Sequence, residues 1–496
     1  MPLETELKLA IAAHDVPALL AHPLLAALPS QQQRLVSTYF DTPKRVLRAR
    51  GIAVRERRAG RQTLLAVKTA GTVAGSLAVR SEWEAPARPG QFDFAALVDE
   101  PALAAELRAL AGQLAPVFTT DFTRRRWLVG HHKALIEVAL DRGHIHAMTR
   151  DGPRSLPLLE LELELKQGPP EALFRLARRL GRSAHLRPLA ASKVDRGDAL
   201  ARGKRAKPAK ADAIALAPDT RPVEAFRAVA LACLAHLMAN EGGVLHSEDI
   251  EYLHQARVAL RRLRAALRVF APALPRKFVA RWAPAWRGLA QSLGAARDHD
   301  VFRTSLLPGL LPLLGPRDAA RLQTWALVQG QAATAAARRS LASRDTSDHL
   351  LAFTRDLLFL KQGHPGAPAP SFQPWALERL RRRHRQLLRG IRSADLFDPI
   401  ERHRVRIEAK KLRYALDFLG SLWPPEALVK LTEALVQAQE LMGAMNDRVS
   451  AQHLLAGAPQ GGVERLQMVL GAQLVQSAAH LPLVLKAVAQ APALWK

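Results

Sequence analysis

The sequence predicts an α+β chain of two dissimilar parts: an N-terminal antiparallel β barrel closed around a polar lumen, with flanking helices, and a C-terminal all-α region of two repeated bundles. Three observations carry this. Up to about residue 200 the apolar side chains alternate with period two. Beyond residue 222 they recur at helical spacing, and there one pattern appears twice, with His254 matched by His403 at an offset of 149 residues. At 496 residues, 48% hydrophobic and 24% charged, the chain has the composition of a folded multidomain protein, not of a disordered or fibrous one.

The first strand pattern covers residues 3–11, LETELKLAI. Successive strand side chains point to opposite faces, so Glu4, Glu6 and Lys8 share one face and Leu3, Leu7 and Leu9 the other. Residues 51–57 place Arg55 with Arg57, and residues 77–85 place Arg80 with Glu82 and Glu84. Residues 134–140 alternate again, and residues 158–166 set Glu160, Glu162 and Glu164 against Leu159, Leu161, Leu163 and Leu165. One such strand is explained by a sheet with a wet face. Five of them, with carboxylates on the first and last and Arg or Lys between, favour a barrel with a charged lumen. Hard Mg²⁺ or Mn²⁺ takes carboxylate oxygens, and Arg and Lys donate charge-assisted hydrogen bonds to phosphate. Both on one lumen point to metal-assisted phosphoryl transfer or hydrolysis.

The expected domains are a barrel over residues 1–201, a solvated Lys/Ala/Pro linker over 202–222, and a helical region over 223–496. The helical region has halves at about 223–360 and 375–496, meeting at the Pro/Gly-rich stretch 361–374. In the first half His254, Arg257, Arg261 and Arg264 fall on one helical stripe beside an apolar stripe of Ala256, Leu260, Leu263 and Leu267. His403, Arg406, Lys410 and Arg413 repeat the stripe in the second half. Solvated helix faces normally interleave both charge signs, whereas these are almost purely basic, and like charges at that spacing destabilise a helix. The pattern predicts a bound anion that relieves the repulsion.

Charge supports the same division. Lys and Arg number 72 against 45 Asp and Glu, a net charge of +27, of which residues 1–200 carry +8 and the rest +19. Such an excess calls for a polyanionic partner: nucleic acid, anionic lipid or polyphosphate. Aromatic residues make up 5% of the chain and Tyr only 3 residues, with no base-stacking motif, so no specific nucleic acid is expected. The single cysteine, Cys233, allows no intrachain disulfide and suits a reducing cytoplasm. The early Glu4 and Glu6 are unlike a secretory signal, and no uninterrupted apolar run of about 18 residues occurs, so neither export nor a membrane partner is expected.

The motifs ETELK (Glu4, Glu6, Lys8), TYFDTP, VRER, AVKT with Lys68, TDFTRRRW with Arg124, IEVALDRG, ELELELK and SKVDRG with Lys193, in this order over about 200 residues, resemble the CYTH domains, or triphosphate tunnel metalloenzymes. The resemblance implies a tunnel of about eight antiparallel strands. Glu4 and Glu6 would bind metal with Glu160 and Glu162 or, on a two-residue shift, Glu162 and Glu164. Lys8, Arg55, Arg57, Lys68, Arg80, Arg124 and Lys193 would hold the triphosphate, with Lys8 the candidate proton acceptor. The repeated HxxRVxxRRLR and HxxRIxxKKLRY, each followed by a Gly and an Asp, resemble CHAD domains, which implies polyphosphate binding by the two basic stripes. Together they imply a cytoplasmic, Mg²⁺- or Mn²⁺-dependent inorganic triphosphatase that also binds inorganic polyphosphate, including in polyphosphate granules. Thiamine triphosphate hydrolysis, conversion of ATP to cyclic AMP, and a non-catalytic polyphosphate scaffold are the alternatives.

Overall fold

The computed structural model describes residues 3–203, 206–361 and 372–495. The chain divides into two compact units: Met1–Lys207 with Arg344–Phe359, and Pro208–Ser343 with Leu360–Lys496.

The first unit is built on ten strands: β1 Leu3–Ile11, β2 Gln31–Asp41, β3 Ala53–Ala59, β4 Gln62–Lys68, β5 Thr72–Ala74, β6 Leu77–Pro86, β7 Ala115–His131, β8 Ala134–Thr149, β9 Gly152–Gln167 and β10 Leu186–Pro188. All pairings are antiparallel, in the order β10-β1-β9-β8-β7-β2-β3-β4-β6-β5, and a further β1–β6 pairing closes eight of the strands into a barrel. The register sets the lumen-facing residues of neighbouring strands side by side. Across β1, β9 and β8 run the rows Glu6–Glu164–Glu137 and Lys8–Glu162–Ala139, and Glu160 lies opposite Asp141. On the other side Glu4 faces Arg80, and Lys68 faces Glu82. Outward from the same strands, Leu7, Leu9, Leu161 and Leu163 pack with Phe174 and Leu176 of helix α1 (Glu171–Leu180) into a core cluster. Period-two alternation thus yields one apolar and one charged face.

Helix α2 (Lys193–Ala201) belongs to the barrel unit. Its start is fixed by Ser192 and Asp195, each side chain accepting the other's backbone N–H.

The second unit is helical: α3 Pro222–His246, α4 Ile250–Phe270, α5 Arg276–Ser292, α6 Gly294–Val301, α7 Pro316–Leu341, then α9 Phe372–Ser393, α10 Pro399–Leu419, α11 Val429–Leu455 and α12 Val463–Gln490. Helix α8 (Arg344–Leu358), from the sequence between them, packs in the barrel unit. The repeat is realised in α4 and α10, which have the same length and start on the matching N-caps Asp249 and Asp398. The stretch 202–222, read as a solvated linker, lies from Pro208 onward on the helical unit: the Ala209 backbone is bound by Asn240 and His236, and Leu216 is buried. Residues 362–371 of the expected break fall outside the described residues. Helices α3 and α12 have the length and mean hydropathy (1.4) of a membrane span, though charged or polar side chains interrupt both; half of the apolar α3 window is buried in the bundle, and 22% of that of α12.

Candidate active site

The barrel encloses a cavity of about 900 Å³. Glu4, Glu6, Lys8, Arg55, Arg57, Lys68, Arg80, Arg124, Glu162, Glu164 and Lys193 all line it, brought from six strands and the first turn of α2. Glu160 does not line it. Its carboxylate is fully buried beneath Lys193 and Arg196, both of which pair with it. Arg196 escapes a reading by strand patterns, yet it stands three residues after Lys193 on a helix, the spacing that puts two side chains on one face.

Ion pairs tile the lumen in two patches. In the first, Lys68 Nζ lies 2.7 Å from Glu4 and 2.8 Å from Glu82, Arg80 reaches Glu4 (3.1 Å) and Glu6, and Lys8 sits 2.8 Å from Glu6. Arg55 continues it to Glu82 (3.1 Å) and Glu84 (3.4 Å). In the second, Arg124 pairs with Asp141 (2.7 Å) and Glu162 (2.5 Å), and Lys193 with Asp141 (2.7 Å), Glu160 and Glu162 (2.9 Å). Glu82 and Glu84 serve as structural partners that hold Arg55, and Asp141 and Arg196 are the partners that motif reading left without a role.

These contacts set the charge states. Burial alone would raise the carboxyls of Glu4 and Glu162. Lys68 and Arg80 hold Glu4, and Lys193 and Arg124 hold Glu162, well below the usual range. Burial opposes ionisation of Lys193 too, but Asp141, Glu160 and Glu162 outweigh it and keep the ammonium charged. Glu164 behaves oppositely: burial raises its carboxyl more than Lys166 lowers it, and Glu4 and Glu137 add to the rise. Burial pulls Arg57 down to about 10, aided by neighbouring Arg55 and Arg124. Its Nε donates to Ser37 Oγ at 3.3 Å, leaving a cation with weak internal partners.

Two acidic groups could attract a cation. Asp141, Glu160 and Glu162 present oxygens within 4.8 Å of one another, but the Lys193 ammonium already bonds all three. The row Glu6–Glu164–Glu137 with Glu4 also meets cations, Lys68, Arg80 and Lys8 at Glu4 and Glu6 and Lys166 at Glu164. It faces the cavity, and the upward pressure on Glu164 from Glu4 and Glu137 is like-charge repulsion that a hard cation on carboxylate oxygens would remove.

In the helical unit α4 packs against α10. Arg261 of the first repeat comes into electrostatic contact with Arg406 and Lys410 of the second, and Asp298 with Asp447. Burial, Arg406 and Arg261 together push Lys410 down to about 7. His254, Arg257 and Arg264 continue the basic face along α4, each drawn down first by burial and then by neighbouring arginines. His403 and Arg413 continue it along α10, where Arg413 donates to Gln439 at 2.8 Å. Arg262, adjacent in sequence, turns away to pair with Asp417 at 3.3 Å over the Phe418 ring.

Comparison with known proteins agrees with both halves. A CYTH domain model matches residues 2–197, and a CHAD domain model matches residues 228–456. A Haemophilus influenzae protein named inorganic triphosphatase is 33% identical over 204 residues, covering 39% of this chain; the match spans about half (54%) of that relative's length. The crystal structure of the CHAD domain from the plant Ricinus communis is 30% identical, with a TM-score of 0.50, over 58% of this chain and 98% of its own. A Hippeastrum structure described as a putative adenylyl cyclase with a dominant triphosphatase activity is 16% identical over 39% of this chain and 95% of its own, with a TM-score of 0.30. A charged barrel in the first match and a twice-repeated basic helix in the second make this chain a CYTH domain followed by a CHAD domain.

Proposed function

We propose that the barrel hydrolyses inorganic triphosphate to pyrophosphate and phosphate with Mg²⁺ or Mn²⁺, and that the basic face of the helical unit binds inorganic polyphosphate. One observation carries the first part: a single cavity has Glu4, Glu6, Glu162 and Glu164 on one wall and Lys8, Arg55, Arg57, Lys68, Arg80, Arg124 and Lys193 around the rest. The carboxylates would hold the divalent ion, with Glu160 left out because it is fully buried and does not reach the cavity. Bound there, the ion would neutralise phosphate charge and lower the barrier to attack by water.

The chain's own residues do the rest. Arg55, Arg57 and Arg124 lie around the cavity, where planar guanidinium groups can each take two phosphate oxygens and fix the anhydride chain in line. Lys8, held at Glu6, donates to an oxygen of the transferred group. Lys193 sits at the first position of α2, where the positive end of the helix dipole adds to its pull on anions. Among the described lining residues the one aromatic ring is Tyr39, which is stacked on Phe118 with centroids 4.4 Å apart and bonded to Arg55. It offers no sandwich for a nucleobase, which favours an inorganic chain over ATP.

The test is phosphate release from tripolyphosphate, pyrophosphate, ATP, thiamine triphosphate and long-chain polyphosphate, with Mg²⁺, Mn²⁺ or chelator. Rapid chelator-sensitive release from tripolyphosphate alone is the expected result. No release from any substrate, with tight polyphosphate retention, would replace the enzyme with a binding scaffold.

A further inference from the structure

Helix α8 lies in sequence between two stretches of the helical unit, within the residues matched by the CHAD model, yet it packs in the barrel unit. Its buried face is continuous: Thr346, Ser347, Leu350, Leu351, Phe353, Thr354 and Leu357 recur at three- and four-residue spacing. Four contacts fix it. Arg344 donates to the carbonyls of Gly181 (2.5 Å) and Arg182 (3.3 Å) at the end of α1. The Ser347 hydroxyl lies 2.9 Å from His185 Nε2, just before β10, the strand that pairs with Leu9–Ile11 of β1. Leu351, 2% exposed, enters the core cluster of Leu7, Leu9, Leu161 and Leu163, the apolar faces behind Glu6, Lys8 and Glu162. Thr354 abuts Gly75, where a Cβ would stand 3.0 Å from its hydroxyl, and Gly75 has a φ of +63°.

Gly75 and Ser76 form the turn from β5 into β6. The Ser76 carbonyl accepts the backbone N–H of Lys8 at 3.0 Å, and β6 carries Arg80, the partner of Glu4 and Glu6. Helix α8 therefore bears on β1 and on the turn into β6, two of the four strands that carry the first ion-pair patch, from the side opposite the lumen. We infer that α8 is a positioning element of the tunnel: Leu351 and Thr354, from the CHAD portion of the sequence, hold β1 and the β5–β6 turn so that Glu4, Glu6, Lys8 and Arg80 converge. As far as it concerns catalysis, this rests on the triphosphatase reading above.

The experiment uses the full chain with Leu351→Ala and, separately, Thr354→Ala. The second deletes the contact with Gly75 and leaves α8 itself sound, since among the described residues the Thr354 hydroxyl bonds back to the Leu350 carbonyl. Each variant is assayed for tripolyphosphate turnover, for the Mg²⁺ concentration giving half-maximal rate, and for amide exchange along β1 and the β5–β6 turn. Displacement of reacting groups by a fraction of an ångström should lower kcat on the order of tenfold for Leu351→Ala and about threefold for Thr354→Ala. The Mg²⁺ requirement should rise, and the Lys8 amide should exchange faster while β3, β4 and polyphosphate binding stay unchanged. Leu351→Met and Thr354→Ser should restore all three readouts. Wild-type kinetics and Lys8 exchange in both alanine variants would overturn the inference, as would a uniform loss of protection in Thr354→Ala. Should the wild type hydrolyse no triphosphate, the triphosphatase reading fails by itself, and the exchange of Lys8 alone decides the role of α8.

Discussion

Lys193→Met tests the electrostatics of the lumen most directly. The substitution keeps the length of the side chain and removes the ammonium that bonds Asp141, Glu160 and Glu162. Breaking a buried ion pair from one side costs about 3–5 kcal/mol, because the surviving charge remains buried without its partner. Arg124 still holds Asp141 and Glu162, and Arg196 still holds Glu160, so the lower end, about 3 kcal/mol, applies. For a barrel of this size that is a fall of about 6–12 °C in the barrel's Tm. The pH dependence carries the mechanism. In the wild type Glu162 lies below its ordinary value near 4.5, so its contribution is present above that pH and lost as pH falls. In the variant the crowded carboxyls rise above the ordinary value and bind protons preferentially when folded, so the variant gains stability as pH falls toward 5. Thermal unfolding followed through the buried barrel residues Trp83 and Trp127 should show the gap narrowing from pH 8 to pH 5. Adding Glu160→Gln to Lys193→Met should recover most of the loss at neutral pH. A Tm within about 2 °C of wild type at pH 7.5, or a gap that does not change with pH, would refute the claim that Lys193 neutralises this cluster.

Glu4→Gln should abolish metal-dependent turnover, a loss of at least about a hundredfold in kcat, while polyphosphate retention on an affinity matrix is unchanged; equal loss of both would contradict the division between the units. Replacing Arg257, Arg261, Arg406 and Lys410 with Gln should weaken long-chain polyphosphate binding and flatten its salt dependence by roughly one unit of slope per lost cation. Tripolyphosphate turnover, measured beside it, should stay near wild type. Lys410, pushed down to about 7, should take up a proton when a polyanion arrives, since nearby negative charge favours the ammonium. Affinity should therefore fall as pH rises above 7, and calorimetry in buffers of different ionisation enthalpy should detect the uptake; Lys410→Arg should remove both effects.

Most of the barrel was legible because its signal is local. A period of two with charges on one face can be read along LETELKLAI or LLELELELK, and the register needs only those faces to agree. What could not be read was pairing across strands. The choice among Glu160, Glu162 and Glu164 rests on where Lys193 and Arg196 of α2 descend, and nothing along β9 distinguishes three equally spaced glutamates. Glu82 and Glu84 were readable as partners of arginines, but which arginine each meets, and that Asp141 meets Arg124, appears only when the strands are assembled. Helix α8 carries an ordinary amphipathic pattern, and no periodicity says which unit its apolar face joins. The repeat of α4 in α10 was visible by spacing, but the meeting of Arg261 with Lys410 depends on how the two helices cross.

The lumen's charge balance explains why one tunnel needs both kinds of wall. Lys8, Lys68, Arg55, Arg80, Arg124 and Lys193 each already bond a carboxylate, so the cavity is a mosaic of ion pairs and not a free basic funnel. A bare triphosphate entering it must displace Glu4, Glu6, Glu82 or Glu162 from their cations, leaving buried carboxylates without partners, at a cost that its own contacts with those cations largely cancel. A triphosphate arriving with a divalent ion meets no such penalty, because the ion takes the carboxylates as the phosphate oxygens take the ammonium and guanidinium groups. Arg57, bonded to Ser37 and only distantly to Glu84 (3.9 Å), is the lining cation with least to give up, and the anion can engage it first. On the triphosphatase reading, selectivity for the metal complex over the free anion would follow from the pairing itself.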